Sequence, residues 1–357
     1  MNATCTGQSR VRTTAPGGIP RLLTAALGML AGLALLLSVQ GCGTTAAATT
    51  EAAGPTPASA LRVFSSYATA EKVALANHDE LLALSLVTGS QTAITTAAYD
   101  VAAATGAAVT GPVYGKPALY VPKLTTYPQW FVATVPERPS ARAPVRTALL
   151  VFDRLSAQST WALSVSVLLN PGAPALNVAV GADGYATALA TSDPALRLRP
   201  DEVGATHATV ADEGPASAAA PLVRPGPQTT GVYQANAALG RQAAAQRNTY
   251  TWELEGTSYP FFALRTRDGG ALVFYTMTLN TMYTPGQARG ARAKDKPAPV
   301  FIPAAIRPLV PPRPPLKHGL AVDSTFSYAA LDPAASATTA AIQVVGSGGG
   351  ITYVHGT

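Results

Sequence analysis

Residues 259–284, YPFFALRTRDGGALVFYTMTLNTMYT, decide the fold class. Two β-rich runs, Phe261 to Arg265 and Ala271 to Thr284, flank Asp268-Gly269-Gly270. A glycine-bearing turn between two such runs is a strong local signal of an antiparallel hairpin. Just upstream, Tyr250, Trp252 and Leu254 alternate with Thr251, Glu253 and Glu255, the period of two that a strand imposes. Before that, Gly231 to Asn248 reads as an Ala-rich helix. Downstream, Leu320–Tyr328 and Ala341–Val345 read as closing strands. Ile351–Val354 follows as one more, after a flexible hairpin or tail at Gly346–Gly350.

The same order, helices and then an antiparallel meander, occurs earlier in the chain. Leu61, Phe64, Ala68 and Leu75 recur at helical spacing, with Lys72 placed to snorkel between them. Asn77 with Glu80 resembles a capping box for a second helix, and Ser90 can cap a third running to about Ala104. Strand signals follow at Ala118–Pro122, Gln129–Val135 and Thr147–Leu155, and in the alternation of Trp161, Leu163, Val165 and Val167 with Ala162, Ser164 and Ser166. Tyr127-Pro128 before Trp130-Phe131 and Leu149–Phe152 is echoed by Tyr259-Pro260 before Phe261-Phe262 and Ala271–Phe274. Either internal duplication or chance recurrence of strand pairs accounts for the echo. The fold expectation is α+β, with two domains at residues 61–170 and 229–357, each with N-terminal helices followed by a curved antiparallel sheet. A Pro- and Ala-rich connection at 171–228 separates them, with a turn at Asp183-Gly184 and a short helix from Asp201. A basic, Pro-rich insertion at 285–317 interrupts the second domain.

The N-terminus carries an address. Residues 1–21 hold Arg10, Arg12 and Arg21 and no acidic residue, and Leu22–Val39 is apolar or small almost throughout. The run ends at Val39-Gln40-Gly41-Cys42, which resembles the lipobox of bacterial lipoproteins, with Gln40 where Ala or Ser is usual. The resemblance implies lipid on the Cys42 thiol, cleavage of residues 1–41, a small-residue tether at 42–60 and an extracytoplasmic protein held at the cell membrane. An uncleaved anchor and a plain secretory signal are the competing readings; a Cys directly at the end of the apolar run favours lipidation.

Composition supports a folded, exported chain. Of 357 residues 48% are hydrophobic and 12% charged, which argues against disorder. The formal charge of +6 reflects 25 basic residues against 19 acidic, and removal of 1–41 leaves 22 basic residues, too small an excess to argue for nucleic acid as a partner. The cysteines are Cys5 and Cys42, so the mature chain has no disulfide to staple it.

The YPxWF and LLVF strands followed by DGGALVF resemble a family of uncharacterised lipoproteins of high-GC Gram-positive (actinobacterial) bacteria, to which no activity is attached. Helices leading into a curved sheet are also similar in element order to the NTF2-like cone fold, here in tandem. That resemblance implies a concave pocket and leaves function open.

The sequence carries little chemistry. His78, His207, His318 and His355 are each more than 30 residues apart, lack metal-ligand spacing and read as solvated, so no metal site is expected. No G-x-S-x-G elbow is present, and no Ser stands three residues before a Lys. Gly111–Lys116 (GPVYGK) has one residue too few between its glycines for a phosphate loop, and Pro117 stands where a magnesium-binding hydroxyl belongs. No cofactor and no catalytic residue is assigned. Two features stand above background. Arg289, Arg292, Lys294 and Lys296 would suit anionic lipid or wall polymer, unless they only keep a loop soluble. Tyr120, Tyr127, Trp130, Trp161, Tyr250, Trp252, Tyr259, Tyr275 and Tyr283 either pack a core or line a concave pocket. The leading expectation is a non-enzymatic binding or interaction module of the cell envelope with an unidentified protein partner; the alternatives are an enzyme with a cone-shaped pocket and a structural spacer. A carboxylate such as Asp100 or Asp153 beside a tyrosine in a polar pocket would favour the enzyme.

Overall fold

Thr56 starts the first helix. Its hydroxyl accepts the Ser59 backbone N–H at 3.1 Å, the Ser59 hydroxyl accepts the Thr56 N–H at 2.8 Å, and Pro57 supplies a helical φ at the first position of α1 (Pro57–Asn77). The structure, a computed structural model, describes residues 53–138, 143–286, 298–310, 316, 318–337 and 340–356. Cys42, Arg289, Arg292, Lys294 and Lys296 lie outside the described residues, as does the segment 1–41. The expected tether to residue 60 ends sooner, because α1 has begun by Pro57 and Ala60 is already core.

His78 ends α1 with a left-handed φ of 52°, so the capping box expected at Asn77 does not form. Asp79 caps α2 (Glu80–Ser85) instead, accepting the Leu82 N–H at 2.9 Å. In α3 (Ser90–Thr105), Ser90 is the first helical residue and not the cap. Its hydroxyl donates to the Ser164 carbonyl at 3.2 Å and accepts from Thr276 at 3.1 Å, with Ser327 also 3.1 Å away.

The strands are β1 (Val113–Tyr114), β2 (Ala118–Tyr120), β3 (Gln129–Arg138), β4 (Arg146–Arg154) and β5 (Ala162–Leu169). After α4 (Pro200–Glu213) and α5 (Thr230–Ala245) come β6 (Asn248–Gly256), β7 (Phe262–Arg265), β8 (Ala271–Pro285), β9 (Leu320–Asp332) and β10 (Gln343–Gly356). The hairpin around Asp268 is present, with Arg265 opposite Ala271.

All pairings between these strands are antiparallel, and they form one sheet in the order β1-β3-β4-β5-β10-β9-β8-β6, with β2 added on β3 and β7 on β8. This corrects the expectation of two separate sheets in two domains. The last strand returns to β5, pairing Gly346 with Leu169 and Ser347 with Leu168, so the described part of the chain is a single unit. The glycine run expected to be a flexible hairpin or tail is therefore the middle of β10, flanked on both edges. A Cβ on Gly348 would overlap the Ser166 carbonyl oxygen and one on Gly349 the Thr325 carbonyl oxygen; only hydrogen fits.

Side-chain alternation sends residues to two cores. On β4, Leu150 and Phe152 face α1, where Phe64 and Tyr67 meet Phe152. Leu149 and Val151 face the other way and share a core with Leu272 and Phe274 of β8. Trp130 lies 5.3 Å from Phe262 in that core, so the two echoed segments pack on each other. On the outer side of β8, Val273, Tyr275 and Met277 pack under α4. Both faces are covered, which is why β5 buries Ala162 and Ser164 along with Leu163 and Val165.

Residues 171–228 are not a connection between domains. Leu176, Val178 and Ala186 enter the inner core, and Val178 and Ala188 form single bridges to Thr266, just past β7, and to Leu264 of β7. The helix expected from Asp201 is α4, begun by Pro200. In the basic insertion, Ala298 and Ile306 are buried, and Phe301 packs 5.7 Å from Tyr283. Among the described residues no helix is long and apolar enough to cross a membrane.

Candidate functional site

The inner face of the sheet, where a cone fold would keep its pocket, is filled by Trp130, Val151, Val167, Phe262 and Phe274. Of the aromatic set, Trp130, Tyr250, Tyr275 and Tyr283 are buried as core. Open space lies elsewhere, around the helices at the start of the chain.

The inward stripe of α1 is Ala60, Phe64, Tyr67 and Ala74, with half-buried Glu71 on the same face; it keeps the expected Phe64 and otherwise runs one step out of phase with the expected Leu61, Ala68 and Leu75. Leu61 is 46% exposed. The true stripe thus turns a carboxyl inward at Glu71. The Tyr67 hydroxyl donates to Glu71 Oε1 at 2.7 Å, and the Tyr114 hydroxyl approaches the same oxygen at 3.5 Å. Burial raises the Glu71 pKa above its ordinary value; the two phenol hydroxyls pull it back, and the neighbouring carboxyl of Glu137 raises it further. Glu137 is itself raised by burial, with Arg146 across the strand pair opposing the shift.

Two cavities share this carboxyl. One, of about 150 Å³, lies among α1, α2 and α3 and is lined by Tyr67, Glu71, Leu86, Gln91, Ile94 and Tyr99. The other, of about 490 Å³, lies on the outer side of α1 against Ala68, Lys72, Ala76 and Val113. Glu71, Leu75 and residues 109–112 line both. The Leu75 side chain rests directly on Gly111, at a place where a Cβ would stand. Gln91 Oε1 is buried and has no hydrogen-bond partner. A buried acceptor left unmet normally costs about 1–3 kcal/mol, and Gln91 Oε1 shares that condition with Asp153 Oδ1 and Asp332 Oδ1 among the described residues.

The carboxylates named from sequence are placed apart from this cleft. Asp153, near the end of β4, is 2% exposed; burial pushes its carboxyl up to about 6, partly offset by the Ser164 hydroxyl, and its Oδ1 has no partner. Asp100 lines a separate hollow of about 210 Å³ between α3 and β10, beside Tyr353. His207, expected in solvent, is in fact fully enclosed under α4. Its Nε2 lies 2.6 Å from the Gln228 carbonyl oxygen and its Nδ1 2.9 Å from the Tyr275 hydroxyl. Nε2 therefore carries the hydrogen and Nδ1 accepts from the phenol, an assignment made from the partners. Among the described residues no group of three or more His, Cys, Asp or Glu is arranged to hold a metal ion.

Glu71 was not singled out from sequence. The signal that could have found it is Phe64, Tyr67, Glu71 and Ala74 read as one face, with Tyr67 and Glu71 four residues apart.

Residues 53–356 match a family described as a domain of unknown function, DUF8094. The chain is also 27% identical over 237 residues to an uncharacterized lipoprotein of Streptomyces avermitilis; the alignment covers 66% of this chain and 65% of the relative, a little under two thirds of its length. No solved structure matches.

Proposed function

The chain belongs to the DUF8094 family, and from that premise we propose that it is a lipid-anchored protein of the cell envelope whose cleft around Glu71 binds a small molecule without transforming it. The observation that carries this reading is the pair of cavities that share Glu71, whose half-buried carboxyl is held by Tyr67, while the sheet's inner face is closed by core side chains. Anchoring is supported by the Val39–Cys42 pattern and by the lipoprotein name of the Streptomyces relative. A short tether before Pro57 would hold the cleft near the outer membrane face.

Two measurements test the proposal. Cys42→Ala should abolish palmitate labelling and leave the precursor uncleaved, and label that persists in this variant overturns the anchor. Ala68→Trp should fill the larger cavity. The full chain in lipid nanodiscs should bind at least one of hexylamine, 1-hexanol or hexanoate, and the Trp variant should bind it at least tenfold more weakly with an unchanged melting temperature. Equal affinity would remove the cleft from consideration. A carboxyl hydrogen-bonded to a tyrosine is also what an enzymatic reading needs, and chemical change of the bound molecule would favour it.

A further inference from the structure

Of the residues whose spacing marks the apolar side of α1, Phe64 turns to the core, while Leu61, Ala68 and Leu75 each stand one residue beyond a core residue: Ala60, Tyr67 and Ala74. That step is about 100° around the helix. A spacing of seven drifts only about 20° per repeat, so the three share a second side, and Lys72 lies on it between Ala68 and Leu75. Leu61 is 46% exposed, and Ala68 and Leu75 are half-buried. The cavity of about 490 Å³ opens along this side at Ala68, Lys72 and Leu75, with Val113, 64% exposed, on its wall. Arg138 stands directly across from Val113 in the sheet.

Charge on these segments is one-sided. From Pro57 to Asn77 and from Val113 to Arg138, the exposed charged side chains are Arg62, Lys72, Lys116, Lys123 and Arg138, all cationic. Lys123 is paired with Asp183. The acids of the same segments are withdrawn, Glu71 half-buried against Tyr67 and Glu137 buried. Asp79, just past α1, is engaged as the cap of α2.

We propose that this second side of α1 docks on an anionic lipid bilayer, with Leu61, Leu75 and Val113 at the acyl boundary and Arg62, Lys72 and Arg138 at the lipid phosphates. The inference rests on the lipid-anchored part of the proposed function and not on what the cleft binds. An apolar stripe flanked by cations, with no exposed acid, is the makeup of a helix that lies in the interface. The Lys72 stem can lie along the stripe while its ammonium stays with the head groups. An apolar protein partner would suit the leucines and the valine, but a rim of one sign favours a surface that carries phosphate. Reach permits the contact. Residues 43–56 separate Cys42 from α1 and extend to at most about 50 Å. The stripe from Leu61 to Leu75 spans about 21 Å from there.

Residues 50–357 form one compact unit without the anchor, so the test needs no lipid on Cys42. Their co-sedimentation with vesicles of equal parts phosphatidylglycerol and phosphatidylcholine should be about fivefold tighter, or more, than with phosphatidylcholine alone, and should weaken as salt rises. Leu61→Ser, Val113→Ser and Lys72→Glu, all at exposed positions, should each lower that affinity by about threefold to tenfold at an unchanged melting temperature. Tyr353→Ser, at an exposed aromatic on β10, should leave it within about twofold. Equal binding to the two vesicles, or binding indifferent to all three substitutions, overturns the proposal. So does a Tyr353 variant that weakens binding as much, since the contact would then lie on another face. A dimer that Leu61→Ser dissociates would give the stripe to a second copy of the chain and overturn it as well. None of these readings depends on palmitate at Cys42, so failure of the anchor and failure of the docking are told apart.

Discussion

His207 keeps its hydrogen on Nε2 because the Gln228 carbonyl needs a donor, and it stays neutral because no carboxylate approaches the ring within hydrogen-bond distance. Burial pushes its pKa down from 6.5 to about 4. As pH falls below 6.5, the unfolded chain takes up this proton before the folded one does, so the contribution of His207 to stability declines between about pH 6.5 and 4. Urea titrations of the wild type and His207→Gln should therefore converge by about 2 kcal/mol between pH 7 and pH 5. A difference that does not change with pH would mean the ring is solvated. Asp332, 1% exposed at the end of β9, works in the opposite sense. Burial raises its carboxyl to about 7, against the Leu198 N–H and nearby Arg197, so its cost is fully present above pH 7 and is relieved as pH falls toward 4. Comparing variants at single sites separates the two slopes, which a scan of the wild type would blend.

At the scale of elements, β10 is where the fold is most exposed to substitution. It passes between β5 and β9, and Gly346, Gly348 and Gly349 lie where neighbouring backbone comes closest. Gly348→Ala should destabilise the protein by about 1–3 kcal/mol, because the Ser166 carbonyl cannot retreat without breaking the sheet. Gly350→Ala, with nothing within 4 Å of its Cβ, should stay within about 0.5 kcal/mol of the wild type. Equal melting temperatures for the two variants would place the seam between the halves elsewhere. The start of α3 is tied to the same seam. Ser90 reaches Ser164 on β5 and Thr276 on β8, joining one helix to both halves of the sheet. Similarly, the phase of α1 follows from what lies beneath it: Phe152 and Tyr114 receive Phe64 and Tyr67, and the helix turns to meet them, carrying Glu71 inward.

Across the whole molecule, one sheet and a shared inner core predict that the halves open together. Hydrogen exchange should show the amides of β4 and β5 losing protection with those of β8 and β9 under mild denaturant; loss from one half while the other stays protected would restore two independent domains. Much was legible in the residues alone: the α+β class, each principal strand, and the hairpin at Asp268-Gly269-Gly270, because these depend on local alternation and on turn residues close in sequence. What the order of elements could not contain was the return of the last strand to β5, a pairing between residues nearly two hundred positions apart with no local signature. That pairing turned a glycine run into a strand, while contacts equally remote in sequence, to β7 and to Tyr275, drew residues 171–228 into the core and enclosed His207. The Glu71 cleft is non-local too: Tyr67 and Glu71 are neighbours on α1, but Tyr114, Gln91 and residues 109–112 reach them only when the helices close over β3 and β4, since proximity in space is set by which apolar faces pair and not by distance along the chain.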